Sequence, residues 1–245
     1  MRRIFLLFGL AVVIAYLTVC GFIYAPGEPM RYARTHIVVT DSNEFDFVHA
    51  ADIQQQVRKA GFRFRGKTID SVDTYRLSRL IEQNRLVRQA CCYHTPDSTL
   101  RIEVSQRHPL MRVKSNTEGD FFIDTDGETM PALTATAIRI PLVTGHASHE
   151  LVHHGLYDFA LFLQKDRFWR SEITQIWIDA KGEVYLVPRV GSHTILLGNF
   201  DNYEAKLDRL LEFYKKVMPR KGWNAYKVLN LKFDGQVIGE RSDNK

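Results

Sequence analysis

VRQACCYHTPDSTLRIEV, residues 87–104, decides how the first half of the chain is read. Leu100, Ile102 and Val104 alternate with polar residues, the two-residue period of a strand with one buried face. Thr95-Pro96-Asp97-Ser98 before them makes a turn, because Pro96 presets its φ and Asp97 bonds its own backbone. Residues 87–94 are then the outgoing strand of a hairpin. Working back, Leu77, Leu80 and Ile81 form the apolar stripe of a helix that Asp73 or Thr74 can cap. Ile53, Val57 and Ala60 stand at i, i+4 and i+7 of another helix, with Gly61 placed to end it. A strand at 36–40 comes first. The order strand, helix, helix, strand, strand over 36–107 predicts one α+β module.

Upstream, 26–35 (PGEPMRYART) has no period and reads as a linker. Residues 4–25 (IFLLFGLAVVIAYLTVCGFIYA) contain no charge. As a helix they reach roughly 33 Å, enough for a hydrocarbon core of about 30 Å. A cleaved signal has an apolar core of about 7–15 residues that ends at small ones, whereas Phe22-Ile23-Tyr24 close this run. Val19 before Cys20 likewise fits a lipoprotein processing site poorly. The expectation is an uncleaved transmembrane helix at 4–25, a cytoplasmic tail at 1–3, and the rest of the chain beyond the membrane.

With 25% charged and 45% apolar residues the chain has the balance of a globular protein, which excludes a disordered one. The formal charge of +5 is spread among acids without a polybasic block, and the aromatics are not interleaved with Lys and Arg, so no nucleic-acid partner is expected. Cys91 and Cys92 are neighbours, and Cys20 lies in the apolar run. No disulfide framework follows, and the fold has to stand on its core.

Past Arg107-His108-Pro109 the texture turns to strands at 111–114 and 121–124, the latter closed by Asp126-Gly127. A helix at 148–164 carries Val152, Leu156, Phe159, Ala160 and Leu163 on one face. Strands at 173–179, 184–188 and 194–197 form an antiparallel meander. Leu207, Leu210, Leu211, Tyr214 and Val217 line one side of a helix at 202–217. Leu229, Leu231 and Phe233 alternate in a late strand, which Gln236-Val237-Ile238 extends past Gly235. Residues 108–240 thus read as a β-rich domain of mainly antiparallel strands with flanking helices, followed by a polar tail at 241–245.

His149-Glu150-Leu151-Val152-His153 matches H-E-x-x-H, in which two His one helical turn apart hold zinc and the Glu activates water. His146, His154 and Glu172 lie within reach in the chain. The alternative to a zinc peptidase using His149, Glu150 and His153 is a helix end bearing histidines, since both His flank the apolar Val152 and Leu156. A helix end bearing histidines is expected, with no catalytic residue and no cofactor. Asp124, Asp126 and Glu128 make an acidic turn that lacks the distant Glu of a calcium loop and reads as a hairpin turn. Cys91 and Cys92 read as small packed side chains. Neither a P-loop, a Rossmann fingerprint nor G-x-S-x-G is present.

Several segments resemble the bacterial cell-division family FtsQ/DivIB. Val104-Ser105-Gln106-Arg107-His108-Pro109 resembles the V-x-x-R-x-P that ends the family's POTRA domain. Phe122-Ile123-Asp124-Thr125-Asp126-Gly127 is similar to the aromatic-I-D-x-x-G segment opening its β domain, and Pro141-Leu142-Val143-Thr144-Gly145 to its P-x-[VL]-x-G. Ile195-Leu196-Leu197-Gly198 followed by Lys206-Leu207-Asp208-Arg209-Leu210 resembles the L-G strand end and K-L-x-R-L helix, and Leu231-Lys232-Phe233-Asp234 the penultimate strand. In order and spacing these cover nearly the whole chain.

The resemblance implies a POTRA-like domain at 36–107, a β domain at 108–240, and a scaffold without enzymatic activity at the division septum of the cell inner membrane. It implies binding of single-span coiled-coil proteins like FtsB/DivIC and FtsL, and through them an influence on the septal peptidoglycan synthase. In the family the partner's chain adds to the edge of the last strands. Carried over by position, that stretch is Lys232, Phe233, Gly235, Val237, Ile238 and Gly239, with Phe213 on the preceding helix. A POTRA-type chaperone for exported proteins is the remaining alternative, although repeated POTRA units or a barrel would be expected with it.

Overall fold

The computed structural model describes residues 2–23, 30–132 and 138–242; side chains in the first helix are described over 9–20, and His149 and His154 by backbone alone. Helix α1 is Arg2–Ile23, 22 residues. Among the described residues no helix is long and apolar enough to cross a membrane. The last two residues of the expected span at 4–25, much of the linker and 243–245 of the tail lie outside the described residues.

The first domain comprises β1 (Arg34–Val39), α2 (Ala50–Lys59), α3 (Thr74–Glu82), β2 (Val87–His94) and β3 (Thr99–Gln106). The sheet order is β1-β3-β2, with β3 antiparallel to β2 and parallel to β1. Asp73 caps α3 by accepting from the Arg76 amide at 2.9 Å. Ile53 and Val57 of α2 and Leu77 and Ile81 of α3 pack on Leu100, Ile102 and Val104, all buried. Each such side chain contributes about 1.5–3 kcal/mol. The linker is shorter than expected, because β1 begins at Arg34 and Tyr32 is already buried, its amide donating to Lys67 O at 2.9 Å.

The end of β3 is clamped by a polar network. Gln106 is wholly buried, and its Oε1 accepts from the amides of Phe47 and Val48, both at 2.8 Å. Its own amide and Nε2 donate to the Asp41 carboxylate at 2.8 and 3.1 Å. Burial pushes the Asp41 carboxyl upward, but hydrogen bonds from Gln106 and His108 overrule it and hold the group below its ordinary range. A carboxyl depressed in the folded state stabilises above its unfolded pKa of about 3.9 and loses that contribution as pH falls through the folded value. Urea unfolding followed by exchange at Phe47 and Val48 should therefore weaken below about pH 4, and this part of the acid dependence should vanish in Asp41→Asn.

The second domain runs β4 (Pro109–Ser115), β5 (Gly119–Asp124), β6 (Thr129–Pro131), β7 (Leu142–Gly145), α4 (His149–Leu151), a π turn (Val152–Leu156), α5 (Tyr157–Lys165) and α6 (Arg167–Glu172). It continues with β8 (Ile173–Ile178), β9 (Val184–Pro188), β10 (Thr194–Gly198), α7 (Tyr203–Lys216), α8 (Met218–Lys221), β11 (Tyr226–Asn230) and β12 (Ile238–Arg241). The nine strands among the described residues of this domain join one sheet in the order β12-β11-β10-β9-β8-β7-β4-β5-β6. Five pairings are antiparallel and three, β4/β7, β7/β8 and β10/β11, are parallel. Parallel neighbours need crossovers, and the helices α4 to α6 and α7 to α8 supply two of them. Phe159 and Leu163 of α5 and Leu207 and Leu210 of α7 share one core with Ile176, Leu186, Ile195 and Leu229, so one sheet face is covered. The other face carries a shallow groove bordered by Gln175, Trp177, Tyr185 and Val228.

Several elements differ from the sequence reading. The helix expected at 148–164 contains a five-residue π turn. Strands β6 and β7 add to the sheet. The late strand is two strands: β11 ends at Asn230, the chain turns, and β12 returns antiparallel to it.

Candidate partner-binding edge

Asn230 starts the reversal, its Oδ1 accepting from the Lys232 amide at 2.9 Å, and Asp234-Gly235 forms the turn. The return strand pairs Leu229 with Gly239 and Asn230 with Ile238. Strand β12 ends the sheet and has no strand on its outer side among the described residues. About half of its backbone donors and acceptors therefore face outward. The opposite end of the sheet is β6, three residues finishing in Pro131, which has no N–H to offer. Of the two ends, β12 is the better acceptor for an added strand.

The seven residues carried over by position do not share one environment. Phe233 and Ile238 are 49% and 44% exposed, Phe233 in the bend before the turn and Ile238 at the start of β12. Val237 and Phe213 are half-buried against the core, and Gly235 lies in the turn. Gly239 sits under the Tyr226 ring, so close that a Cβ there would come within 2.5 Å of Cδ1. Phe213 meets the same ring edge-on, with centroids 5.4 Å apart. Lys232 is engaged internally, its Nζ on both Glu183 oxygens at 2.7 and 2.9 Å. Glu240 and Arg241 belong to the edge as well, since β12 runs through Arg241. The Asp-Gly pair at 234–235 was the sequence signal for them, because it marks a hairpin more readily than a kink within one strand.

Two of the resembling segments brace this edge. Gly198 ends β10 with φ at +85°, and a Cβ there would lie 2.7 Å from Lys232 Cγ. Lys206 in α7 is buried and donates to Asn199 O and Oδ1 at 3.0 and 2.8 Å, closing the turn that follows Gly198. Burial holds its ammonium below the ordinary range.

The acidic turn expected as a plain hairpin joins the two domains. Asp124 is wholly buried; one oxygen accepts from the amides of Asp126 and Glu128 at 2.9 and 2.7 Å, the other from Arg107 Nη1 at 2.7 Å. Arg88 of β2 forks onto Asp126 at 2.7 and 2.8 Å, and Arg85 donates to Thr129 O at 3.2 Å. The arginine of one resembling segment thus meets the aspartate of the next. Sequence spacing carried no sign of that pairing.

The H-E-x-x-H residues sit where α4 passes into the π turn. Glu150 and His153 are exposed, and His153 lies inside the turn, where i→i+5 closure interrupts the stacking of residues four apart. Among the described residues no group of three His, Cys, Asp or Glu gathers as metal ligands do. Glu172 is buried elsewhere, accepting from the Val190 amide at 3.3 Å, and burial raises its carboxyl pKa.

The β-α-α-β-β arrangement of the first domain falls in a recognised class: residues 33–105 match the POTRA-like domain. Residues 108–240, more than half of the chain, match the family described as FtsQ/DivIB, C-terminal related. The chain belongs to that family, which makes it a cell-division protein. No curated protein matches it.

Proposed function

We propose that this protein is a non-enzymatic scaffold of the division machinery whose β12 edge receives an extended segment of a single-span coiled-coil partner of the FtsB/DivIC kind, together with an FtsL-like protein. The observation that carries the reading is the open outer side of β12, with exposed Ile238 on the strand and exposed Phe233 in the bend that leads to it. Main-chain groups along such an edge supply affinity, and alternate side chains supply selectivity. The charge-free run at 4–25, of which α1 describes the part up to Ile23, anchors the chain in the cytoplasmic membrane, amino terminus inside and both domains outside. Tethering host and partner to one membrane raises their local concentration, so a modest interface suffices. Through these partners the protein helps regulate septal peptidoglycan synthesis.

The test is a fluorescent fusion of the full chain in depleted cells. Septal bands and rescue from filamentation are expected, and uniform envelope fluorescence with normal division on depletion would contradict the proposal. Zinc analysis addresses the peptidase alternative: stoichiometric metal, lost together with proteolysis in His153→Ala, would overturn the non-enzymatic part.

A further inference from the structure

Residues 54–68, QQQVRKAGFRFRGKT, hold five cations and no acid. Folding gathers them. Arg58 and Lys59 end α2, and Arg63, Arg65 and Lys67 follow on the loop beside it. All five are exposed, and among the described residues none is ion-paired with a carboxylate. Arg58, Arg63 and Arg65 rim a groove of about 620 Å³ whose apolar walls include Val57, Phe62 and Phe64. The rim is cationic and the lining is apolar.

The chain leaving α1 is stitched to this loop. Arg31 Nη1 donates to Gly66 O at 2.9 Å, adding a sixth cation. The Tyr32 amide donates to Lys67 O at 2.9 Å, Gly66 N to Tyr32 O at 3.0 Å, and Ile69 N to Met30 O at 3.0 Å. From Ile23, where α1 ends, to Met30 is a stretch that extends to at most about 25 Å. If α1 crosses the bilayer, the patch cannot stand far from its surface.

We propose that this patch is a docking surface for anionic phospholipid headgroups, which fixes the first domain against the membrane and so sets the direction in which the second domain projects. The inference rests on the reading of α1 as the anchor. Position favours lipid over an acidic peptide, because the short tether holds the cations near a bilayer at all times, while a peptide would have to be brought there. Guanidinium forks suit phosphodiester oxygens, and the attraction acts over a Debye length of about 8–10 Å.

The test uses the full chain in nanodiscs of phosphatidylcholine alone or of an equal mixture with phosphatidylglycerol, read by amide exchange over 62–67. About ten-fold slower exchange is expected in the anionic discs, lost at high salt and lost in the double variant Arg63→Glu/Arg65→Glu. Exchange at Ile53 and Leu77 reports that the variant remains folded. Equal exchange in both lipids overturns the proposal while leaving the anchor intact. Protection in both lipids that resists salt also overturns it, because it would not depend on headgroup charge. A chain that fails to enter the discs overturns the anchor reading and this inference with it.

Discussion

Replacing Asp124 by alanine is expected to destabilise the protein by about 3–5 kcal/mol, the usual cost of removing one partner from a buried pair. Asp124 is 1% exposed by side chain and Arg107 20%, so the arginine is left partly buried without its anion. Two amides, of Asp126 and Glu128, lose their acceptor in the same step. The turn that holds β5 to β6 and the strand-to-strand joint between the domains therefore loosen together. Urea unfolding of the detergent-solubilised chain measures the loss. Asp124→Asn retains an oxygen for the two amides and should lose about half as much. Arg88→Ala, which breaks a solvent-exposed fork of 49% and 37% exposure, should cost less than about 1 kcal/mol. A loss below about 1 kcal/mol for Asp124→Ala would show that the joint is not held by this pair.

The second large effect is on binding. Phe233→Glu/Ile238→Glu is expected to weaken the complex with a co-expressed single-span partner by about 100-fold or more, since two apolar anchors at an interface centre typically carry about 2 kcal/mol or more each. Both side chains are already about half exposed in the free protein. Stability should consequently change by no more than about 0.5 kcal/mol, which separates lost binding from lost folding. Affinity measured by titrating the solubilised chain with the partner, beside a melting curve of each variant, distinguishes the two. Glu183→Ala offers a contrast: it releases Lys232, whose bridge is solvent-exposed, and should alter affinity little.

How much of this was legible in the sequence depended on how far apart the cooperating residues lie. The hairpin of β2 and β3 and most of the stripes of α2, α3 and α7 follow from local periods set by residues two to four apart, whereas Ala60, exposed, and Val217 lie just past the ends of α2 and α7. The late strand was misread for a local reason: Leu229, Leu231 and Phe233 keep the two-residue alternation across Asn230, although the side chain of Asn230 and the Asp234-Gly235 turn already reverse the chain there. The π turn at Val152–Leu156 leaves the apolar face of the surrounding helix intact, so periodicity alone did not reveal it. The joint of Arg107 with Asp124 and Arg88 with Asp126 depends on how two domains meet, and no window of sequence contains both partners. Five of the six cations of the patch, Arg58, Lys59, Arg63, Arg65 and Lys67, stand in one acid-free stretch that the whole-chain charge balance averaged away, and only Arg31, joined to them through its hydrogen bond to Gly66, required the fold.

The most direct test of the proposed edge is a photocrosslinking scan of the full chain in dividing cells. A benzophenone side chain is placed in turn at Phe233, Ile238 and Glu240, and at Trp177 and Thr129 as controls on the open sheet face and at the far end of the sheet. Capture of one small single-span division protein is expected from positions 233, 238 and 240 and none from the two controls. Capture from Trp177 or Thr129 with none along β12 would contradict it.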